Sequence, residues 1–200
     1  MSNIWHDISP KRITPDDYIA VIEITKGSKK KYELDKETGC MYLDRILYTS
    51  THYPANYGFI PRTFGDDQGP LDVLLLCSGE IEPMTLVRCY PIGVIVMKDN
   101  GKLDEKIIAI PFNDPTYNSY HDISDLPPHI FQEMQHFFKV YKELDAMSEA
   151  VGCETLFNTG IPASWVKVRN NILNQMEFDK WLKAFKKHFQ VPGSKKQEYW

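Results

Sequence analysis

The sequence predicts an α+β fold that is mainly β, in which short strands form a barrel or a sandwich and helices follow. Turns rich in Gly, Asp and Asn separate the predicted strands. The first strong helix signal appears only after residue 123. Alternating and β-branched residues predict strands at residues 18–25, 30–35, 41–47, 71–76, 85–97 and 106–111.

Two helices are predicted in the C-terminal part of the chain. The first begins within residues 124–128, SDLPP, where an N-cap residue precedes early prolines. Apolar residues then recur at helical spacing, which places Tyr141 and Lys142 near its far end. An apolar stripe indicates a second helix within residues 163–188. Residues 192–200 are predicted to form a flexible tail.

Composition agrees with a compact globular protein rather than a binding module for polyanions. The 200 residues, 42% hydrophobic and 25% charged, suffice for a single domain over 1–200. A net charge of −4 disfavours nucleic acid and anionic membranes as partners. We expect a cytoplasmic protein, because no signal peptide or membrane-length apolar run is evident. Four widely spaced cysteines are interpreted as buried, inert thiols: Cys40, Cys77, Cys89 and Cys153.

Four aspartates lie in two short segments, each beside a strongly apolar run. Asp67 and Asp72 belong to DQGPLDV, and Asp99 and Asp104 belong to DNGKLDEK. Carboxylates held together beside buried strands repel one another and lose hydration, which a hard cation can offset. Mg²⁺ is the natural candidate. Taken alone, each segment is also ordinary turn chemistry.

Basic residues suited to phosphate lie near tyrosines and acids in other segments. Arg offers a planar fork, Lys a mobile point charge and Tyr a neutral donor. The candidates are Lys31, Arg45, Lys106 and Lys142. Each has an ordinary alternative, since a lysine run is usually a solvated face and a tyrosine is usually a core aromatic.

At these residues the chain resembles the soluble, Mg²⁺-dependent inorganic pyrophosphatases of the barrel-forming family I type. The family signature Asp-x-Asp-Pro-x-Asp matches residues 67–72, and further matches follow in order along residues 18–144. The resemblance implies a five-stranded OB-like β-barrel with two principal flanking helices. It also implies hydrolysis of inorganic diphosphate to two phosphates, in a homo-oligomer that is a dimer or a hexamer.

The resemblance also implies a role for each candidate residue. The metal ligands for Mg²⁺ would be Asp67, Asp72, Asp99, Asp104 and Glu33, with Glu23 acting through waters. The residues that bind diphosphate would be Lys31, Arg45, Tyr57, Lys106, Tyr141 and Lys142. The chemical step would depend on Asp67, Asp72, Tyr57 and Lys142.

One position departs from the family pattern. Gly69 stands where the family carries the middle aspartate of its signature, which accepts a proton from the attacking water. General-base assistance is worth about 10²–10⁴-fold, so Gly69 predicts slower hydrolysis unless a neighbour such as Asp66 substitutes. Two alternatives therefore stay open. One is a catalytically impaired relative that binds diphosphate or a regulatory phosphate ligand. The other, an OB-like nucleic-acid-binding module, is disfavoured by the acidic charge.

Overall fold

The structure is a computed structural model that describes residues 4–5, 7–65, 69–99 and 102–145, with side chains described throughout except at 98–99, 102–103 and 142–145. One α-helix, α1, spans Pro128–Asp145 in this part of the chain. The strands in the same part are β1, Ile13–Thr14; β2, Asp17–Ile24; β3, Lys30–Leu34; β4, Met41–Ile46; β5, Asn56–Ile60; β6, Leu71–Leu75; β7, Leu86–Asp99; and β8, Lys102–Pro111.

Five of these strands close into a mixed barrel. β2 pairs antiparallel with both β5 and β7, and β5 pairs antiparallel with β6. β6 then pairs in parallel with β8, which pairs antiparallel with β7 and completes the circle. β1 extends the sheet beside β2, while β3 and β4 form a separate antiparallel hairpin. The predicted five-stranded barrel is therefore confirmed.

Alternate residues of the barrel strands supply two apolar clusters. Val73 and Ile107 lie in one cluster, whereas their neighbours Leu74 and Ile108 lie in the other, because successive strand residues point to opposite faces. The second cluster also contains apolar side chains of α1, including the fully buried Phe138. Burying one such side chain stabilises the fold by about 1.5–3 kcal/mol. The helix is thereby fixed against the outside of β6 and β8.

The helix α1 begins at the predicted prolines, but the predicted N-cap at Ser124 is wrong because Ser124 lies in a separate short helix. Residues Ile123–Asp125 form a short 3-10 helix whose preceding residue, Asp122, makes a capping box with Asp125. The α-helix itself begins at Pro128, where the missing N–H of proline removes no intrahelical bond. The second predicted helix, at residues 163–188, and the predicted tail at 192–200 lie outside the described residues.

β5 passes close to β2, and a glycine makes this approach possible. A Cβ atom on Gly58 would lie 1.9 Å from the carbonyl oxygen of Val21. Any other residue would push the two strands apart. Gly58 therefore fixes the position of its neighbours Tyr57 and Phe59 in the barrel wall.

The structure differs from the sequence-based expectation at three points. β5 was not predicted as a strand, and β8 begins at Lys102 rather than at 106, so Asp104 lies inside a strand and not in the turn before it. Cys40 is exposed, which makes the expectation of four buried thiols wrong at this position. Cys77 and Cys89 are buried as expected, and Cys153 lies outside the described residues.

No helix among the described residues is long and apolar enough to cross a membrane.

Candidate active site

An open cleft of about 320 Å³ collects most of the predicted functional residues. Its walls come from β2, β3, β5, β6, β8 and α1, elements that the closed barrel brings together. The predicted residues that line it are Lys31, Glu33, Tyr57, Asp72, Asp104, Lys106 and Tyr141, together with Glu23. A cleft of this size suits a small ligand.

Lys106 lies at the centre of the charged cluster. Its Nζ atom donates to Asp72 Oδ2 at 2.7 Å and to Asp104 Oδ1 at 2.9 Å. It also donates to the hydroxyl of Tyr57 at 3.0 Å, and that hydroxyl in turn donates to Asp72. Lys106 is only 4% exposed. Two carboxylates and a phenol therefore converge on one buried cation.

The strand register explains this convergence. The parallel pairing of β6 and β8 places Asp72 directly opposite Lys106. Asp104 precedes Lys106 by two residues and so shares its face of β8. Tyr57 reaches the same point from β5, on the other side of β6. Three neighbouring strands each contribute to one polar group.

Burial and charge act in opposite directions on Lys106. Burial alone would lower its pKa, but the charges and hydrogen bonds of Asp72 and Asp104 outweigh burial and raise the pKa above its ordinary value. Burial, followed by the charges of the same two aspartates, raises the pKa of Tyr57 well above its ordinary value. Lys106 stays cationic and Tyr57 stays a neutral hydrogen-bond donor at neutral pH.

A second charged group lies on the β3–β4 hairpin. Lys31 Nζ contacts Glu33 Oε1 at 2.5 Å and Asp44 Oδ2 at 3.0 Å. Arg45 donates to Asp44 Oδ2 at 2.8 Å and to the hydroxyl of Tyr141 at 3.0 Å. Arg45 does not itself line the cleft, but this last bond ties it to a residue that does. Lys31 and Glu33 lie two residues apart on β3 and so share one face of the strand.

The electrostatics of Lys31 resemble those of Lys106. Burial would lower its pKa, while Tyr141 and the hydrogen-bonded carboxylates Glu33 and Asp44 raise it, and the balance is a raised value. Lys31 therefore also stays cationic at neutral pH. The cleft thus has one lysine on the hairpin and one in the barrel wall, each held by two carboxylates.

Glu23 has an unusually high pKa for a carboxyl group. Burial raises the pKa of its carboxyl to about 8, although the backbone N–H of Leu34, which donates to Glu23 Oε1 at 2.9 Å, acts in the opposite direction. The negative charges of Asp72 and Glu33 raise it further. A carboxyl with this pKa is a site for a proton or a cation near neutral pH.

Aromatic side chains pack against two tyrosines of the cleft, Tyr57 and Tyr141. Tyr53 is buried, and its ring packs against Tyr57 and Phe137 with centroids 5.5 and 4.9 Å apart. Phe137 stacks on Tyr141 at 5.6 Å. This row of packed rings, from α1 to β5, therefore holds Tyr57 and Tyr141 in fixed positions. Tyr53 itself belongs to the hydrophobic core.

Three predicted site residues fall outside this description. Asp67 lies outside the described residues, as do the side chains of Asp99 and Lys142. Among the side chains that the structure describes, no three His, Cys, Asp or Glu residues form a ready-made metal cage. The predicted metal set is therefore described only for Asp72, Asp104 and Glu33.

Trp5 and Lys36 are among the cleft residues that were not predicted from the sequence. A single tryptophan near the start of the chain carries no recognisable pattern. Lys36 lies three residues after Glu33 in the sequence, and this proximity was the only indication that Lys36 belongs to the cleft.

Comparison with known proteins shows to which family the chain belongs. The family model described as inorganic pyrophosphatase matches residues 20–160. The chain belongs to the inorganic pyrophosphatase family. Soluble inorganic pyrophosphatase 2 of Chlamydomonas reinhardtii is 50% identical over 142 residues, which is 71% of this chain and 74% of that protein. Inorganic pyrophosphatase of Aquifex pyrophilus is 42% identical over 168 residues, 83% of this chain and 86% of the relative.

Solved structures of the family have the same fold. The crystal structure of inorganic pyrophosphatase from Thermus thermophilus is 33% identical, covers 88% of this chain and 99% of that chain, and superposes with a TM-score of 0.77. The resemblance and the enzyme class predicted from the motifs, an inorganic pyrophosphatase, are thereby confirmed. The roles of individual residues remain predictions.

Proposed function

We propose that the protein hydrolyses inorganic diphosphate to two phosphates. The observation that carries this proposal is the convergence of Asp72, Asp104 and Tyr57 on the buried Lys106, within a cleft of a pyrophosphatase-family chain. Such a cluster of fixed charges suits phosphoryl transfer, which depends mainly on positioning and charge stabilisation.

The described donor set fits Mg²⁺. Asp72 and Asp104 direct carboxylate oxygens toward one point, where both bind the Lys106 ammonium. All candidate ligands are oxygens, which is the preference of a hard, octahedral ion. We propose that Mg²⁺ is held by Asp67, Asp72, Asp99, Asp104 and Glu33. When bound, it supplies positive charge that activates water and neutralises phosphate oxygens.

The remaining residues act on the substrate. Lys31 and Lys106 place two cations at the cleft, and Tyr141 aims a hydroxyl that Arg45 holds in position. These groups would bind the phosphate oxygens of diphosphate and offset the negative charge that shifts to the leaving phosphate, a task we also assign to Lys142. Tyr57 remains protonated and would donate a hydrogen bond.

Gly69 supports a second candidate function. This residue replaces the acid that would accept a proton from water, and its carbonyl accepts a bond from the Gly65 N–H at 2.7 Å. A glycine has no side chain with which to act as base. The alternative is therefore an impaired relative that binds diphosphate, or a regulatory phosphate ligand, without efficient turnover.

The first experiment measures phosphate release from diphosphate with Mg²⁺ and with EDTA. We expect Mg²⁺-dependent hydrolysis by the natural chain and a loss of at least about a hundredfold in Asp72→Asn. Asp17→Asn is the matched control, because Asp17 pairs with Arg88 on the surface and away from the cleft. Equal rates for Asp72→Asn and Asp17→Asn would contradict the assignment of Asp72.

The second experiment separates the enzyme from the binding relative. Gly69→Asp restores the missing acid, so an increase of about 10²–10⁴-fold from a nearly silent natural chain would favour the binding relative. Little change from an already fast chain would favour the enzyme, with another group acting as base. Calorimetry with diphosphate and Mg²⁺ then distinguishes tight binding without turnover from no binding.

Assembly and location are proposals of the same kind. A homo-oligomer, either a dimer or a hexamer, is supported by the exposed apolar residues of β4 and the residues after it, of which Tyr42 and Tyr48 are 61% and 78% exposed. Light scattering at micromolar concentration tests this. A cytoplasmic location stays a prediction, which fractionation of cells would check.

A further inference from the structure

One wall of the cleft is formed by residues outside the acidic and basic set described above. Trp5, from the start of the chain, lines it together with Lys36, which follows β3. Neither residue has a part in the proposed hydrolysis so far. Both lie in the same cleft as Asp72 and Lys106.

Trp5 is firmly placed beside the charged cluster. Its ring stacks on Phe59 with centroids 4.3 Å apart and an angle of 13° between the planes, and it is only 5% exposed. Phe59 pairs with Asp72 across β5 and β6. Paired residues of antiparallel strands point to the same face, so Phe59, on which Trp5 stacks, shares a face of the sheet with Asp72.

Lys36 lies over the Trp5 ring. Its Nζ atom lies 5.5 Å from the centroid of the Trp5 ring, within the range of a cation–π interaction. A lysine side chain is otherwise flexible, and the ring face restricts where its charge can lie. The consequence is a positive charge on the wall of the cleft, near the stacked rings.

Negative charge in the cleft makes such a cation useful. The carboxylates of Glu33, Asp72 and Asp104 line the same cleft as Lys36. A diphosphate or phosphate anion entering beside Asp72 and Asp104 requires positive charge to offset repulsion. Lys36 lies where it can supply this charge.

We propose that Lys36 is a further phosphate-binding residue of this cleft and that Trp5 is the positioning residue that holds it there. The ligand class is a small phosphate anion, either diphosphate or the phosphate that its hydrolysis releases. This inference rests on the proposed function, because it assigns an additional contact to the same site.

The test measures binding of inorganic phosphate in the presence of Mg²⁺ by calorimetry, since phosphate is not turned over. Lys36→Gln should weaken binding about tenfold, the usual effect of losing one charge-assisted hydrogen bond. Lys30→Gln is the matched control. Lys30 lies on the same hairpin, is exposed and does not line the cleft, so we expect less than about a twofold change.

Trp5 is tested by its coupling to Lys36. Trp5→Leu should reproduce the weaker binding of Lys36→Gln, and the double variant should bind no more weakly than Lys36→Gln alone. Trp5→Phe keeps a ring face and should retain most of the affinity. Thermal unfolding checks that each variant is folded. If Trp5→Leu does not fold, the comparison of Trp5→Phe with Lys36→Gln decides.

The outcomes distinguish this inference from the proposed function. If the natural chain binds phosphate and hydrolyses diphosphate, but Lys36→Gln behaves like Lys30→Gln, the inference is wrong and the proposed function stands. If the losses in Lys36→Gln and Trp5→Leu add in the double variant, the positioning role of Trp5 is wrong. If the natural chain neither binds phosphate nor hydrolyses diphosphate, both proposals are wrong.

Discussion

Replacing Lys106 by methionine isolates the role of the buried cation. Methionine keeps an unbranched stem of similar length and removes the charge. Lys106 is 4% exposed, while the side chains of its partners Asp72 and Asp104 are 24% and 11% exposed. Removing one member of a buried ion pair costs about 3–5 kcal/mol, and the partial hydration of Asp72 reduces our expected loss in unfolding free energy to about 2–4 kcal/mol.

The assay is chemical denaturation in EDTA, with the variant compared to the natural chain. The pKa of Lys106 lies above its ordinary value of 10.5, so its stabilising contribution is full below that pH and is lost only at higher pH. The difference between the two chains should therefore not depend on the charge state of Lys106 between about pH 6 and 9. Mg²⁺ should recover part of the loss, since it stabilises the folded state that binds it.

Arg88→Met provides the matched control. Arg88 makes a two-pronged contact with Asp17, but their side chains are 64% and 39% exposed. Exposed pairs contribute about 0–1 kcal/mol, so this variant should be nearly as stable as the natural chain. If Lys106→Met costs no more than Arg88→Met, the buried cluster does not stabilise the fold and the reasoning is refuted.

Three further predictions concern stability. The pKa of Glu23 is about 8 in the folded state and 4.5 in the unfolded state, so the unfolding free energy without metal should fall by about 2–4 kcal/mol as pH rises from 4.5 to 8. Urea unfolding at a series of pH values measures this dependence, and Glu23→Gln should remove it. Gly58→Ala should prevent folding, because the added Cβ would clash with the Val21 carbonyl, and circular dichroism would detect this. Gly79→Ala is the control: its Cβ would meet open space, so the unfolding free energy should change by less than about 0.5 kcal/mol. Asn56→Ala should cost about 2–4 kcal/mol in the same unfolding assay, because this fully buried amide makes four hydrogen bonds, and a loss below about 1 kcal/mol would contradict that role.

The strands that could be predicted are those whose sequences are rich in β-branched or alternating residues. β5 was missed because Asn56 and Gly58 are unfavourable in strands and because nearly every residue in it is buried, which leaves no alternation to detect. Its place depends on tertiary packing against β2 and β6 rather than on local preference. The strand pattern predicted either a barrel or a sandwich, and the family resemblance favoured the barrel.

The candidate site could be predicted residue by residue, but its geometry could not. Asp72 and Lys106 were identified from separate motifs, yet their direct pairing depends on the parallel register of β6 and β8, which no local pattern specifies. The high pKa of Glu23 depends on burial in the assembled cleft. Trp5 could not be predicted as a cleft residue because its place depends on a distant ring, Phe59.

The parallel pairing of β6 and β8 has a consequence for how the chain folds. Asp72 and Lys106 are 34 residues apart, and the Arg45–Tyr141 bond joins residues 96 apart. Each contact closes a long loop. The chain loses conformational entropy when the loop closes, whereas the stabilising contacts form only when the barrel is complete. No local intermediate can contain a working cleft. Barrel closure and site assembly are thus one kinetic event, and ligands that need the complete cleft should slow unfolding rather than speed folding.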